Sequence, residues 1–285
     1  RSVSSAASDV YKRQALAADI TLSNLVSGET LNHSGTASIS SANAASYTIT
    51  NLSGITLADN AGLASNYTLT GGTHNFTVNP KVISLSGSRL YDATTDAVAS
   101  DLTTISGLVG SETLNLSGTG SVTNANVASN KTVTLGTLAL ADNSGLAANY
   151  TLSGGTHQLT INQRPLAATV ARQYDGTKTA AGSDLSSFDA LQGGETLTLS
   201  GSGTVGDENV ANGQGITLGT LALVDGTGLA SNYSLNSASL NITERVLNSS
   251  GSKTYDANTN ALAGAITLSN LCLLYTSPSP RDREK

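Results

Sequence analysis

The chain has no tryptophan, no methionine, one cysteine, two phenylalanines and three histidines in 285 residues. Only 12% of its residues are charged, and the formal net charge is −6. Each scarcity closes off a class of function. Three histidines and one cysteine leave little material for a nitrogen–sulfur metal site or a nucleophilic dyad. The small stock of Lys and Arg argues against a basic surface for nucleic acid. No apolar run approaches the ~20 residues of a membrane helix. No Gly-rich phrase carries the Lys of a phosphate loop. No serine sits in a Gly-x-Ser-x-Gly elbow with candidate His and acid partners. No cofactor and no catalytic residues are therefore expected. A chain without methionine is expected to be an internal piece of a longer reading frame.

The two ends read as translated DNA adapter. Asp9-Val10-Tyr11-Lys12-Arg13-Gln14 can be encoded GAT-GTG-TAT-AAG-AGA-CAG. The reverse complement, read one base along, encodes Cys-Leu-Leu-Tyr-Thr-Ser, which is the sequence of Cys272–Ser277. Residues 1–14 and 272–285 are accordingly set aside from fold reasoning. The remaining 15–271 carries 8 basic and 17 acidic residues, no cysteine, and two prolines, Pro80 and Pro165. Without cysteine, no disulfide can hold it.

What is abundant is repetition. Gly62–Tyr67 reads Gly-Leu-Ala-Ser-Asn-Tyr, and nearly the same phrase returns at Gly145–Tyr150 and Gly228–Tyr233, with the tyrosines 83 residues apart. Glu29, Glu112 and Glu195 keep the same interval, as do Asn43, Asn126 and Asn209, and Asp59, Asp142 and Asp225. A second marker is Tyr91-Asp92-Ala93, Tyr174-Asp175-Gly176 and Tyr255-Asp256-Ala257, at intervals of 83 and 81. The expected organisation is a truncated first repeat at 15–80, whole repeats at 81–163 and 164–244, and the start of a fourth at 245–271.

Within each repeat the pattern is strand-like. Leu114, Leu116 and Val122 alternate with polar residues, as do Val133, Leu135, Leu138 and Leu140, with a slip at Gly136-Thr137 that reads as a β-bulge. Ser153-Gly154-Gly155-Thr156 between Tyr150-Leu152 and Leu159-Ile161 reads as a hairpin turn. Short helical turns are expected only just before Tyr67, Tyr150 and Tyr233. About 82 residues suffice for one small β domain with its own core, and solenoid rungs are usually shorter. The expected fold is all-β, a tandem array of β-sandwich-like modules. The alternative is a continuous β-helix with four rungs per repeat. Short junctions near Lys81, Arg164 and Arg245 would restrict bending between modules.

The phrases Gln173–Thr179, Gly194–Gly203, Asp207–Gly213 and Ala230–Leu235, in that order and at one period, resemble the YDG-type repeat. Such repeats occur in large bacterial surface adhesins, including filamentous-haemagglutinin-like exoproteins exported by two-partner secretion. The resemblance spans essentially all of 15–271. Ala93 and Ala257 depart from the glycine of the name motif. The resemblance implies a secreted, surface-exposed, non-catalytic stalk or adhesive array. Partners would be host or environmental surface glycans or proteins, met by weak contacts repeated over many modules. A second implied role is spacing in a large extracellular enzyme whose catalytic domain lies elsewhere.

The candidate residues have structural readings. Tyr91, Tyr174 and Tyr255 are expected to pack their rings while Asp92, Asp175 and Asp256 cap turns with their side chains. Tyr67, Tyr150 and Tyr233 are expected in the core at strand edges. Asp59, Asp142 and Asp225 are the only calcium-turn candidates, and each offers one carboxylate where a hard cation wants several oxygens. His74 and His157 read as hairpin side chains, and His33 stands alone. Tyr150→Ala is expected to destabilise its module by about 3 kcal/mol. A loss under about 1 kcal/mol in denaturant titration would show that the ring is not buried.

Overall fold

The computed structural model describes residues 14–49 and 51–271. The adapter-like residues 1–13 and 272–285, Cys272 among them, lie outside the described residues, while Gln14 opens the first strand, Gln14–Leu16. All regular structure among the described residues is β-strand or one of seven three-residue 3-10 turns, of which Ala17–Asp19, Ala99–Asp101, Gly182–Asp184 and Ala263–Ala265 lie away from the expected places. Abundant Thr and Ser favour strands and turns, and strong helix formers such as Glu, Lys and Met are scarce. Among the described residues no helix is long and apolar enough to cross a membrane. The chain divides into two compact units. One gathers the residues up to Gly87 with Asp96–Ser121 and Thr132–Leu159, and the other gathers Ser88–Thr95, Val122–Lys131 and the residues from Thr160 on.

The second unit holds the whole third repeat, which shows the plan most fully. Its main sheet has four strands in the order Leu185–Phe188, Arg164–Gln173, Tyr233–Thr243, Ala211–Gly215. The two central strands are the first and last of the repeat, and they lie parallel, from Arg164 opposite Tyr233 to Gln173 opposite Thr243. The outer strands pair antiparallel to them. Two antiparallel pairs complete the repeat, Thr179–Ala181 with Ser202–Thr204 and Leu197–Ser200 with Ala222–Asp225. Alternation aims Leu166, Ala168 and Val170 inward along the first strand. With Leu240 and Ile242 of the main sheet, Ala168 and Val170 pack against Ala180, Leu199, Val205 and Leu221. The core is thus filled from two facing sets of strands, which makes the module sandwich-like.

The first unit repeats these elements. Asp96–Val98 pairs with Thr119–Ser121, and Leu114–Ser117 pairs with Ala139–Asp142, each antiparallel. Leu114 faces Asp142 just as Leu197 faces Asp225 in the third repeat. The second repeat has the same four-stranded order, as Ala128–Thr132, His157–Asn162, Ser84–Leu90, Thr104–Ser106. In the first repeat Ala45–Thr48 pairs with Asn75–Val78, and Ala37, Ile39 and Ile49 form a small core with Tyr47, Phe76 and Val78 packed on it. The sheets are open, and most pairs are antiparallel. The architecture is therefore one of repeated modules; a β-helix would coil the chain in parallel rungs.

Two local expectations are corrected. The glycine pair at Gly154-Gly155 does not turn a hairpin. Tyr150–Thr151 runs parallel to Lys81–Val82, and the Ile83, Leu85 and Tyr91 amides then donate to Thr151, Thr156 and Asn162 in order. The chain keeps its direction past the glycines and bulges outward between two stretches of the same sheet edge. The third repeat, two residues shorter here, passes straight through as the eleven-residue strand Tyr233–Thr243. The slip at Gly136-Thr137 is not a bulge within one strand either. Ala128–Thr132 and Ala139–Asp142 belong to different sheets, and Gly136 at φ 54° turns the chain from one to the other. That left-handed geometry suits a residue without a Cβ.

Candidate functional site: a tyrosine–glutamate joint between repeats

The Tyr-Asp phrases form one turn three times. The Asp92 carboxylate accepts from the Thr94 amide and hydroxyl, each at 2.9 Å. Asp175 does the same with Thr177, again at 2.9 Å for both bonds. Asp256 accepts from the Asn258 amide at 3.1 Å. A cation three residues upstream braces each turn. Arg89 pairs with Asp92 and Arg172 with Asp175, while the Lys253 ammonium lies 3.0 Å from Asp256. The arginines also donate to the Thr94 and Thr177 carbonyls at 2.7 and 2.6 Å. Burial opposes ionisation of Asp92 and Asp175, but the threonine and arginine bonds outweigh it and hold both carboxyls below their usual range. The third residue is left-handed every time, with φ 63° at Ala93, 75° at Gly176 and 59° at Ala257.

The second tyrosine of each repeat meets that repeat's glutamate. The Tyr67 hydroxyl donates to Glu29 at 2.5 Å, Tyr150 donates to Glu112, and Tyr233 donates to Glu195 at 2.7 Å. In return each phenol oxygen accepts a backbone amide, from Val26 at 3.1 Å, Val109 at 3.1 Å and Gln192 at 3.0 Å. Glu195 does more. Its other oxygen accepts from the hydroxyl of Tyr91, a residue of the preceding repeat, at 2.6 Å. The Tyr91 and Tyr233 rings meet edge to face, with centroids 5.3 Å apart and planes at 78°. This is the favourable quadrupolar arrangement. Tyr91 is 3% exposed and Tyr233 2%. Burial, reinforced by Glu195, pushes the Tyr233 phenol up to about 12 and Tyr91 well above its ordinary value.

Asparagines add a second clasp across the first two junctions. The Asn232 amide donates to the Asn126 side chain at 3.0 Å while its oxygen accepts from the Val127 amide at 2.9 Å. Asn149 repeats both bonds with Asn43 at 3.0 Å and Ala44 at 2.8 Å. Asn232 is 1% exposed, so these bonds satisfy a polar group removed from water. The joint therefore combines one carboxylate, two phenols and an asparagine pair.

The other candidates serve the backbone. Asp59, Asp142 and Asp225 each accept from an amide five residues on, at Ala64, Ala147 and Ala230, with distances of 2.7, 2.7 and 2.6 Å. Each bond caps the 3-10 turn that precedes the repeated tyrosine. Among the described residues no three His, Cys, Asp or Glu side chains cluster as metal ligands would. His157, 6% exposed, donates from Nε2 to the Leu152 carbonyl at 2.8 Å and accepts the Leu85 amide at Nδ1 at 3.2 Å. It braces the outward bulge rather than a hairpin. His74 makes the first of these bonds, to Leu69 at 2.6 Å. His33 lies at 2.8 and 2.9 Å from the Ala17 and Ile20 carbonyls. Tyr174 is half-buried against the third repeat's core, and Tyr255 is 89% exposed.

The joint was not singled out from sequence, although its signal was present. A carboxylate stands 38 residues before each repeated tyrosine in a chain with few charges. A family model described as the YDG domain matches residues 74–161 and 156–241. The chain belongs to the YDG-domain family. No curated protein and no solved structure matches it. The YDG phrase has a physical reading in each letter. Tyrosine anchors a ring, on the next repeat at Tyr91 and on its own repeat's core at Tyr174, aspartate closes the turn, and the third position supplies the left-handed residue.

Two outcomes follow for these YDG repeats. Ala93 carries a Cβ at positive φ, which costs roughly 1–2 kcal/mol. Ala93→Gly removes that strain but adds freedom to the unfolded chain. A net stabilisation of about 0.5–1 kcal/mol in urea titration is expected, and a destabilisation would contradict the strain argument. The second outcome concerns alkali. Unfolded tyrosines lose their protons near pH ~10, while Tyr91 and Tyr233 keep theirs in the folded state. Stability from the joint is thus complete below about pH 10 and falls as pH rises towards about 12. The denaturation midpoint should decline over that window, and Tyr91→Phe should flatten the decline. An identical slope in the variant would separate the alkaline loss from the joint.

Proposed function

We propose that this chain is a non-catalytic stalk or adhesive segment of a secreted bacterial surface adhesin. The observation that carries this reading is where its recurrent polar groups are spent. Glu195, Tyr91, Tyr233, Asn126 and Asn232 bind one another across a repeat junction. Asp92, Asp175 and the three 3-10 caps bind their own backbone. Groups committed in this way hold a chain of modules in register. The YDG family assignment supports the same reading. Adhesion, in this reading, comes from weak contacts repeated over many modules, because linkage raises avidity without a strong single site. Surface glycans or proteins are the partners, and the segment carries no reaction of its own.

The test is recovery of the complete reading frame from the source DNA, followed by a glycan and matrix-protein binding screen with the chain. The expected frame holds many more units of about 82 residues and an N-terminal secretion domain. A flanking catalytic domain would overturn the adhesin reading and make the repeats spacers of an extracellular enzyme. Binding in the screen would mark the repeats as directly adhesive, and its absence as passive stalk.

A further inference from the structure

Glu195 lies between two phenols of different repeats. The Tyr91 hydroxyl donates to Oε1 at 2.6 Å and the Tyr233 hydroxyl to Oε2 at 2.7 Å. One carboxylate therefore gathers the hydroxyl ends of both rings. The rings themselves meet edge to face, with centroids 5.3 Å apart. The ring carbons next to each hydroxyl are thereby brought towards one another. Both side chains are buried, at 3% and 2% exposure, so close packing holds the rings in this arrangement. Glu195 is only half-buried and meets water on one side.

This arrangement supplies what oxidative coupling of phenols requires. Burial keeps both phenols protonated at neutral pH. A protonated phenol gives up an electron readily only if its proton leaves with it, and a carboxylate already in hydrogen-bond contact is placed to take that proton. The electron, in contrast, can leave through the protein without the oxidant touching the ring. Tyr67 and Tyr150 also donate to a carboxylate, but among the described residues Tyr91 and Tyr233 are the pair whose rings meet.

We propose that Tyr91 and Tyr233 form a site of oxidative cross-linking, at which a diffusible one-electron oxidant joins the second and third repeats through a dityrosine bond. Each phenol passes one electron to the oxidant and one proton to Glu195, which hands the first proton to water before it takes the second. The two phenoxyl radicals pair their electrons in a carbon–carbon bond between the positions next to the hydroxyls. The hydrogen on each joined carbon then moves to its oxygen and restores both phenols. Overall, one carbon–carbon bond replaces two carbon–hydrogen bonds, two electrons reduce the oxidant, and two protons reach water. A junction held by hydrogen bonds becomes a covalent one. The inference goes beyond the stalk reading and does not rest on it, since it needs only the joint and the oxidant.

The test illuminates the full chain, dilute and folded, with tris(bipyridyl)ruthenium and persulfate, which generate such an oxidant. The product is read by dityrosine fluorescence, by denaturing gel and by peptide mass mapping. The expected product is a single chain in which the peptides bearing Tyr91 and Tyr233 are joined with the loss of two hydrogens. In urea, where the joint is absent, that selectivity should disappear. Tyr91→Phe should abolish the adduct. Glu195→Gln keeps a carbonyl acceptor but no base, and should slow adduct formation by roughly tenfold or more, the least that a positioned proton acceptor contributes. Circular dichroism checks the fold of both variants, and mapping on the unaltered chain decides the outcome even if a variant does not fold. Coupling of other tyrosines in place of this pair, or oxidation without coupling, would overturn the proposal. So would an adduct that forms as fast in folded Glu195→Gln, or as selectively in urea.

Discussion

Two phenols share one carboxylate at Glu195, and the junction between the second and third repeats depends on that sharing. Each tyrosine is almost wholly buried, and a buried hydroxyl without a partner costs about 1–3 kcal/mol. One glutamate meets two such demands. Removing it would leave two donors stranded, whereas removing either tyrosine would leave the carboxylate its other partner. The edge-to-face ring contact fixes the angle at which the two phenols approach, so both hydroxyls can reach one carboxylate.

The joint sits where it does because of strand order. The first and last strands of the third repeat are neighbours at the centre of its main sheet. Each ends beside the other, at Gln173 and Thr243, so the Tyr174 turn and the start of the next repeat emerge together. Arg245 donates to the Tyr174 carbonyl, as Arg164 donates to that of Tyr91. A short junction thus delivers the tyrosine turn directly to the neighbour. The cost falls on folding. Parallel pairing of strands about 70 residues apart requires the whole repeat to be in place before the sheet centre closes, and such distant contacts are slow to form.

The period and the all-β class were legible in the sequence, because tyrosine, glutamate and asparagine return at one interval and leucine and valine alternate with Ser and Thr. The 3-10 turns before Tyr67, Tyr150 and Tyr233 were legible too. Pairing direction was not. Gly154-Gly155 between two apolar runs has the local chemistry of a hairpin, and only the strand at Lys81–Leu90 shows that both runs share one partner in one direction. Periodicity reports which face a residue occupies and is silent on which strand lies beside it. The role of Glu112 and Glu195 was hidden for a related reason. Their partners are 38 and, for Tyr91, 104 residues away, and local pattern carries no information at that distance.

A joint built from a few directional polar contacts sets register more than it supplies stability. Each repeat must then keep a core of its own, and the third does so with residues that all lie between Ala168 and Ile242. The contacts at the junction of the second and third repeats divide cleanly between the two sides. Tyr91 and Asn126 present themselves forward, while Arg164, Glu195, Asn232 and Tyr233 receive. In such an array the nearest-neighbour contact is the unit of assembly. A change at Glu195 or Tyr233 would act on one junction, whereas a change to the shared pattern would act on all of them.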